Sequence, residues 1–88
     1  MANLLSMKGA ETKRKVYKLM LSNDDIHTFE YVIDSLVKAC GHSHEQAEQC
    51  AYLIHLKGKC DVKRGSLKEL TNILTALSKL ELTATIEK

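Results

Sequence analysis

Hydrophobic and polar positions along this chain alternate at one period, then another. In "VYKLML" (16–21), Val16, Lys18 and Met20 alternate with Tyr17, Leu19 and Leu21, giving one apolar face and one mixed face. That period of two, with β-favouring Val and Tyr, predicts a first strand. From Phe29 the period lengthens: Phe29, Val32, Ile33, Leu36, Val37 and Cys40 recur every three or four residues, which predicts a helix near 28–40 ended by Gly41. Ser43-His44-Glu45-Gln46 has the form of a capping box, so a second helix begins at Ser43. It places Ala47, Cys50, Ala51 and Ile54 on one face, and Gly58 closes it. "KCDVKR" (59–64) alternates weakly and predicts a short strand. A second capping box at Ser66–Glu69 opens a third helix to about residue 79, with Leu67, Leu70, Ile73/Leu74 and Leu77 buried. "LTATIE" (82–87) alternates again and predicts the last strand.

The order is therefore β-α-α-β-α-β. It implies an α+β fold, a small three-stranded antiparallel sheet packed against three helices. Residues 1–14 show no sustained periodicity and are expected to form a flexible arm ahead of a core domain at 15–88.

Composition narrows the function classes. Eighty-eight residues with 44% hydrophobic content suit one small core. Thirteen basic against eleven acidic residues leave a formal charge of +2, and only Lys13-Arg14-Lys15 is a basic run. Nucleic-acid binding normally needs a concentrated basic stripe, so no nucleic-acid partner is expected. No stretch approaches the roughly 20 apolar residues that span a bilayer, so no membrane partner is expected either. Cys40, Cys50 and Cys60 are an odd number of cysteines with no secretory segment ahead of them, which points to a reduced, cytoplasmic protein.

Four histidines and three cysteines raise the question of zinc. Cys40-x-His42-x-His44 straddles a helix end and no pair has C-x-x-C or H-x-x-x-H spacing, so no metal or other cofactor is expected. Nothing adjacent activates any one cysteine as a nucleophile, and catalysis is not expected. What remains is Asn23-Asp24-Asp25 with His55. Such residues commonly build a turn and cap a helix. His55, however, follows Ile54 at the edge of the second helix's apolar face, where it can join them.

These stretches also carry a resemblance. "YKLMLSNDDIHTFEYVIDSL" followed by "EQAEQCAYLIHLKGKC" resembles the ClpS family, adaptors that deliver N-degron substrates to the Clp AAA+ unfoldase–protease. The resemblance implies a fold similar to the C-terminal domain of the ribosomal stalk protein, which agrees with the element order. It implies partners too: the N-terminal domain of a Clp AAA+ unfoldase, and substrate proteins or peptides bearing an N-degron. It further implies that a substrate's free α-amino group is bound by Asn23, Asp25 and His55 with Asp24 close by, and its first side chain by Phe29, Val32, Ala51, Ile54 and Leu82.

The chemistry is coherent. A free N-terminus is largely an ammonium at neutral pH and needs three acceptors, which an Asn carbonyl, a carboxylate and a neutral imidazole supply. The expected ligands are N-terminal Phe, Tyr, Trp and Leu. The rival reading is an interaction domain of the same fold with a different ligand and no selectivity for N-degrons. Phe29 stands where the family pattern has Met, and Ala51 replaces a larger residue, which puts the ranking among the four bulky side chains in question. The third helix also lacks the family's A-E-x-K pattern for contacting the unfoldase.

Overall fold

The computed structural model describes residues 15–88; the arm expected over residues 1–14 lies outside them. Six elements follow in the predicted order: β1 (Tyr17–Ser22), α1 (Phe29–Cys40), α2 (His44–Lys57), β2 (Lys59–Gly65), α3 (Leu67–Lys79) and β3 (Ala84–Glu87). The strands form one sheet in the order β2-β1-β3, antiparallel at both junctions. This is the α+β arrangement of three strands and three helices that the hydrophobic pattern implied.

β1 sits in the centre because it has partners on both edges, and its alternation sorts its side chains. Leu19 and Leu21 are almost wholly buried, while Lys18 and Met20, which alternate with them, are partly exposed. They join Ile33 and Leu36 of α1 and Leu70 and Leu77 of α3, the largest fully buried side chains among the described residues. Each contributes roughly 1.5–3 kcal/mol by leaving water.

The helix starts follow side-chain chemistry. Thr28, Ser43 and Ser66 each accept a bond from the amide three residues on, at 3.0, 3.1 and 3.2 Å. Each helix thus begins one residue after its cap, worth about 1 kcal/mol apiece. Gly41 (φ 69°) and Gly58 (φ 91°) end α1 and α2 in the left-handed conformation that glycine adopts without a Cβ clash.

Three details differ from the periodic reading. The weak strand is the longest one, because β2 is held by pairing along β1 while only Cys60 and Val62 are buried. Pairing runs from Leu19–Lys63 to Met20–Asp61, so Val62 is an extra, bulged residue, and His42 Nε2 donates to its carbonyl at 2.7 Å. β3 begins at Ala84, not 82, since the Leu82 amide donates to Leu77 O at the end of α3 and Glu81 turns the chain at φ 64°. Leu67, expected in the core, is half exposed at the first turn of α3, where the apolar stripe has not yet met the sheet.

Candidate functional site

The end of β1 and the end of α2 are clamped together. Gly58 N donates to Ile54 O at 2.8 Å, closing α2, and Gly58 O accepts from Asn23 N at 2.8 Å. This pair of bonds sets His55, in the last turn of α2, beside the residue that leaves β1. The start of α1 closes the third side, and a small cavity of about 70 Å³ lies between them. Its polar rim is Asn23, His27, Thr28 and His55, and its apolar wall is Phe29, Val32, Ala51 and Ile54.

Six of the nine residues named from the sequence thus meet at one cavity: Asn23, His55, Phe29, Val32, Ala51 and Ile54. The other three do not line it. Leu82 is buried in the core cluster beyond the end of α3. Asp25 is exposed on the turn. Asp24 closes the turn itself: its Oδ1 accepts from the amides of Ile26 and His27 at 2.9 and 2.8 Å, and its Oδ2 accepts from the His27 ring at 2.8 Å.

Electrostatically, Asp24 is a carboxylate by construction. Burial works to raise its pKa, but the hydrogen bonds from the His27 amide, the His27 ring and the Ile26 amide outweigh it and hold it below 3.8. The two helix ends at the cavity act in opposite senses, the C-terminal end of α2 favouring a cation and the N-terminal end of α1 an anion.

His27 is the residue that the sequence reading missed. Its Nδ1 is fixed by Asp24 Oδ2, its ring stacks on Tyr31 at 4.6 Å and 19°, and the residue is part of the cavity lining. The available signal was the Asp-x-x-His spacing, which lets a carboxylate reach an imidazole across one turn. Tyr31 is itself anchored, its hydroxyl donating to Leu80 O at 2.7 Å.

At the mouth, Phe29 and Tyr52 meet edge to face at 5.0 Å, linking α1 and α2 across the opening. Outside them Phe29, Tyr52 and His55 border a broad, open depression of about 390 Å³. Aromatic edge-to-face pairs are worth about 0.5–1.5 kcal/mol beyond burial, so this lid is cheap to open.

Among the described residues no cluster of three or more His, Cys, Asp or Glu side chains could hold a metal ion. The three cysteines are free and buried. Burial pushes the Cys40 thiol up to about 11 and that of Cys60, which also contacts Cys50 Sγ at 3.0 Å, to about 12. These are protonated, unactivated thiols at neutral pH. No helix among the described residues is long and apolar enough to cross a membrane.

The family model described as ATP-dependent Clp protease adaptor protein ClpS matches residues 12–85. The ClpS adapter protein of Salmonella gallinarum is 37% identical over 54 residues, covering 61% of this chain and 51% of that protein. That of an Enterobacter species is 43% identical over 44 residues, covering 50% and 42%. The chain spans about half the length of the curated relatives it matches. Among solved structures, Agrobacterium tumefaciens ClpS2 bound to L-phenylalaninamide superposes with a TM-score of 0.76 at 27% identity, over 85% of this chain and 98% of that one.

Proposed function

The chain belongs to the ClpS family of ATP-dependent Clp protease adaptors, and on that premise we propose that it is a non-enzymatic adaptor for N-degron substrates. It binds proteins whose free N-terminal residue is Phe, Tyr, Trp or Leu and delivers them in the cytoplasm to the N-terminal domain of a Clp AAA+ unfoldase. Residues 15–88 are the adaptor core in this reading. Delivery works by raising the substrate's local concentration at the unfoldase.

The observation that carries the proposal is the cavity between α1 and α2, where an apolar wall adjoins a rim of polar side chains. The Asn23 side-chain carbonyl and a neutral His55 nitrogen accept two of the three ammonium hydrogens, and Asp25 adds negative charge from the exposed turn. Hydrogen bonds to a charged group are worth roughly 1.5–3 kcal/mol each, and burying a Leu or Phe side chain contributes a similar ~1.5–3 kcal/mol. After the cost of association, about −8 kcal/mol, or micromolar affinity, is reasonable. The likeness to ClpS2, a structure with a phenylalanine amide bound, supports a ligand of this class.

Selectivity follows from both halves. Acetylation removes the charge and two donors and leaves acceptors at the rim unpaired, while a glycine leaves the wall unfilled. The cavity of about 70 Å³ is about half the ~150 Å³ of a protein cavity that admits benzene. A phenyl ring therefore enters with outward movement of Phe29 or of the half-exposed Tyr52.

The test is fluorescence anisotropy with four labelled peptides that differ only at the start: Phe, Leu, Gly and acetylated Phe. The expected result is micromolar or tighter binding of the first two and none of the others. Equal binding of all four would leave an interaction domain with another ligand.

A further inference from the structure

Two of the three cysteines stand within reach of each other. Cys50 lies in α2 and Cys60 in β2, ten positions apart in the chain, and their sulfurs are 3.0 Å apart in the core. A disulfide holds its sulfurs at about 2.0 Å, so about 1 Å is left to close, a distance that small side-chain rotations supply. Cys40 is the contrast within the same core. It is buried and near enough to Cys50 to feel its charge, yet among the described residues its sulfur makes no such contact.

We propose that Cys50 and Cys60 form a redox modification site, at which hydrogen peroxide converts the two thiols into an intramolecular disulfide that staples α2 to β2. The inference is independent of the amine-binding reading. The Cys50 thiolate attacks one peroxide oxygen and the O–O bond breaks. Cys50 becomes a sulfenic acid, and the departing hydroxide takes up the thiol's proton as water. The Cys60 sulfur then attacks the sulfenic sulfur, the S–S bond forms, and the S–O bond breaks with loss of a second water. Two thiols and one peroxide thus give one disulfide and two waters, with two electrons passing from sulfur to oxygen. Cys60 takes the second role because burial and the contact with Cys50 push its thiol up to about 12 and keep it protonated.

Burial makes the first step slow. Neither thiol is sealed, however, at 8% and 6% exposure, and Cys60 belongs to an edge strand of the sheet. Once the sulfenic acid exists its partner is already in place, so closure outruns a second peroxide. The loop so closed contains Ala51, Ile54, His55 and Gly58, which are wall, rim and clamp residues of the cavity. Oxidation therefore removes freedom from the unfolded chain and holds the α2–β2 junction together where reductant is scarce.

The test treats the full chain with hydrogen peroxide, blocks the remaining thiols and maps the peptides by mass spectrometry. The expected result is loss of two hydrogens across Cys50 and Cys60 with Cys40 still free, reversed by dithiothreitol. The oxidised chain should melt roughly 10 °C above the reduced one, and its unfolding equilibrium should shift about a hundredfold towards the folded state. Cys40→Ala should keep both changes and Cys60→Ala should lose both; mapping of the unaltered chain decides the pairing even where Cys60→Ala does not fold. Thiols at 50 and 60 that stay free in peroxide, bridges to Cys40 or between chains, or a sulfinic acid in place of the bridge would overturn the proposal. So would a bridged chain that melts lower, because the fold would then have to distort to close it.

Discussion

The two ends of the α1–α2 helix pair are built from similar residues and behave differently. At one end lies the small cavity with Asn23, His27 and His55. At the other, some 18 Å along α1 at about 1.5 Å per residue, Gly41, His42, Gln46, Asp61 and Arg64 border an open depression of about 350 Å³. The second is about five times larger, yet it is lined mainly by polar and charged side chains. Arg64 Nε donates to Asp61 Oδ2 at 2.7 Å, and His42 Nε2 donates to the Val62 carbonyl freed by the bulge in β2, while His42 Nδ1 is buried without a partner. The Cys40 thiol beside them is protonated at neutral pH. The smaller cavity instead sets the Asn23 and His55 side chains beside an apolar wall. Volume is therefore a poor guide here, and polar groups set beside an apolar wall are a better one.

Exchanging the histidines breaks this comparison most sharply. His55→Ala should weaken an N-terminal Phe peptide about ten- to a hundredfold and leave the melting temperature nearly unchanged, since His55 is exposed. His42→Ala should do the reverse. It strips the Val62 carbonyl of its donor and costs about 1–3 kcal/mol of stability, read by urea unfolding, with affinity per folded molecule unchanged. If His42→Ala reduced affinity at full folding, the larger depression would take part in binding.

A smaller effect concerns the lid. Phe29→Ala removes the edge-to-face partner of Tyr52 and widens the mouth, so N-terminal Trp should gain on N-terminal Leu by roughly threefold to tenfold, about 1 kcal/mol, in competition anisotropy. An unchanged ratio would show that Phe29 does not set the size limit.

The smallest effect is on acid stability. Asp24 has a folded pKa below its ordinary 3.8, so the stability it contributes is complete above about pH 4. That contribution is lost as the pH falls from 3.8 through the folded value. The melting-temperature difference between the unaltered chain and Asp24→Asn should therefore narrow below pH 4 and stay constant from pH 5 to 7. The carboxylate is partly solvated, and a difference of a few degrees at most is expected.

How much of this was legible beforehand differs from element to element. Helix α2 was read with its buried face complete, because Ala47, Cys50, Ala51 and Ile54 all satisfy one period and all are buried. Strand β2 was under-read, because four of its residues are charged and its order comes from pairing with β1. Leu82 looked like a strand residue facing the pocket, yet the turn at Glu81 carries it into the core.

Sequence by itself determined the local choices: where helices start, where glycines end them, which face of each element is apolar, and which residues can accept a hydrogen bond. These depend on neighbours within a turn or two, and short-range sterics and hydrogen bonding decide them. Tertiary structure alone decided which acceptors remain free. The arrangement of the turn at the cavity depends on the Asn23–Gly58 clamp, the stacking of His27 on Tyr31 and the tie to Leu80, which lies 49 residues from Tyr31 along the chain. Periodicity carries no information about contacts at that separation, and hydrogen-bond capacity left unspent is a property of the whole folded arrangement.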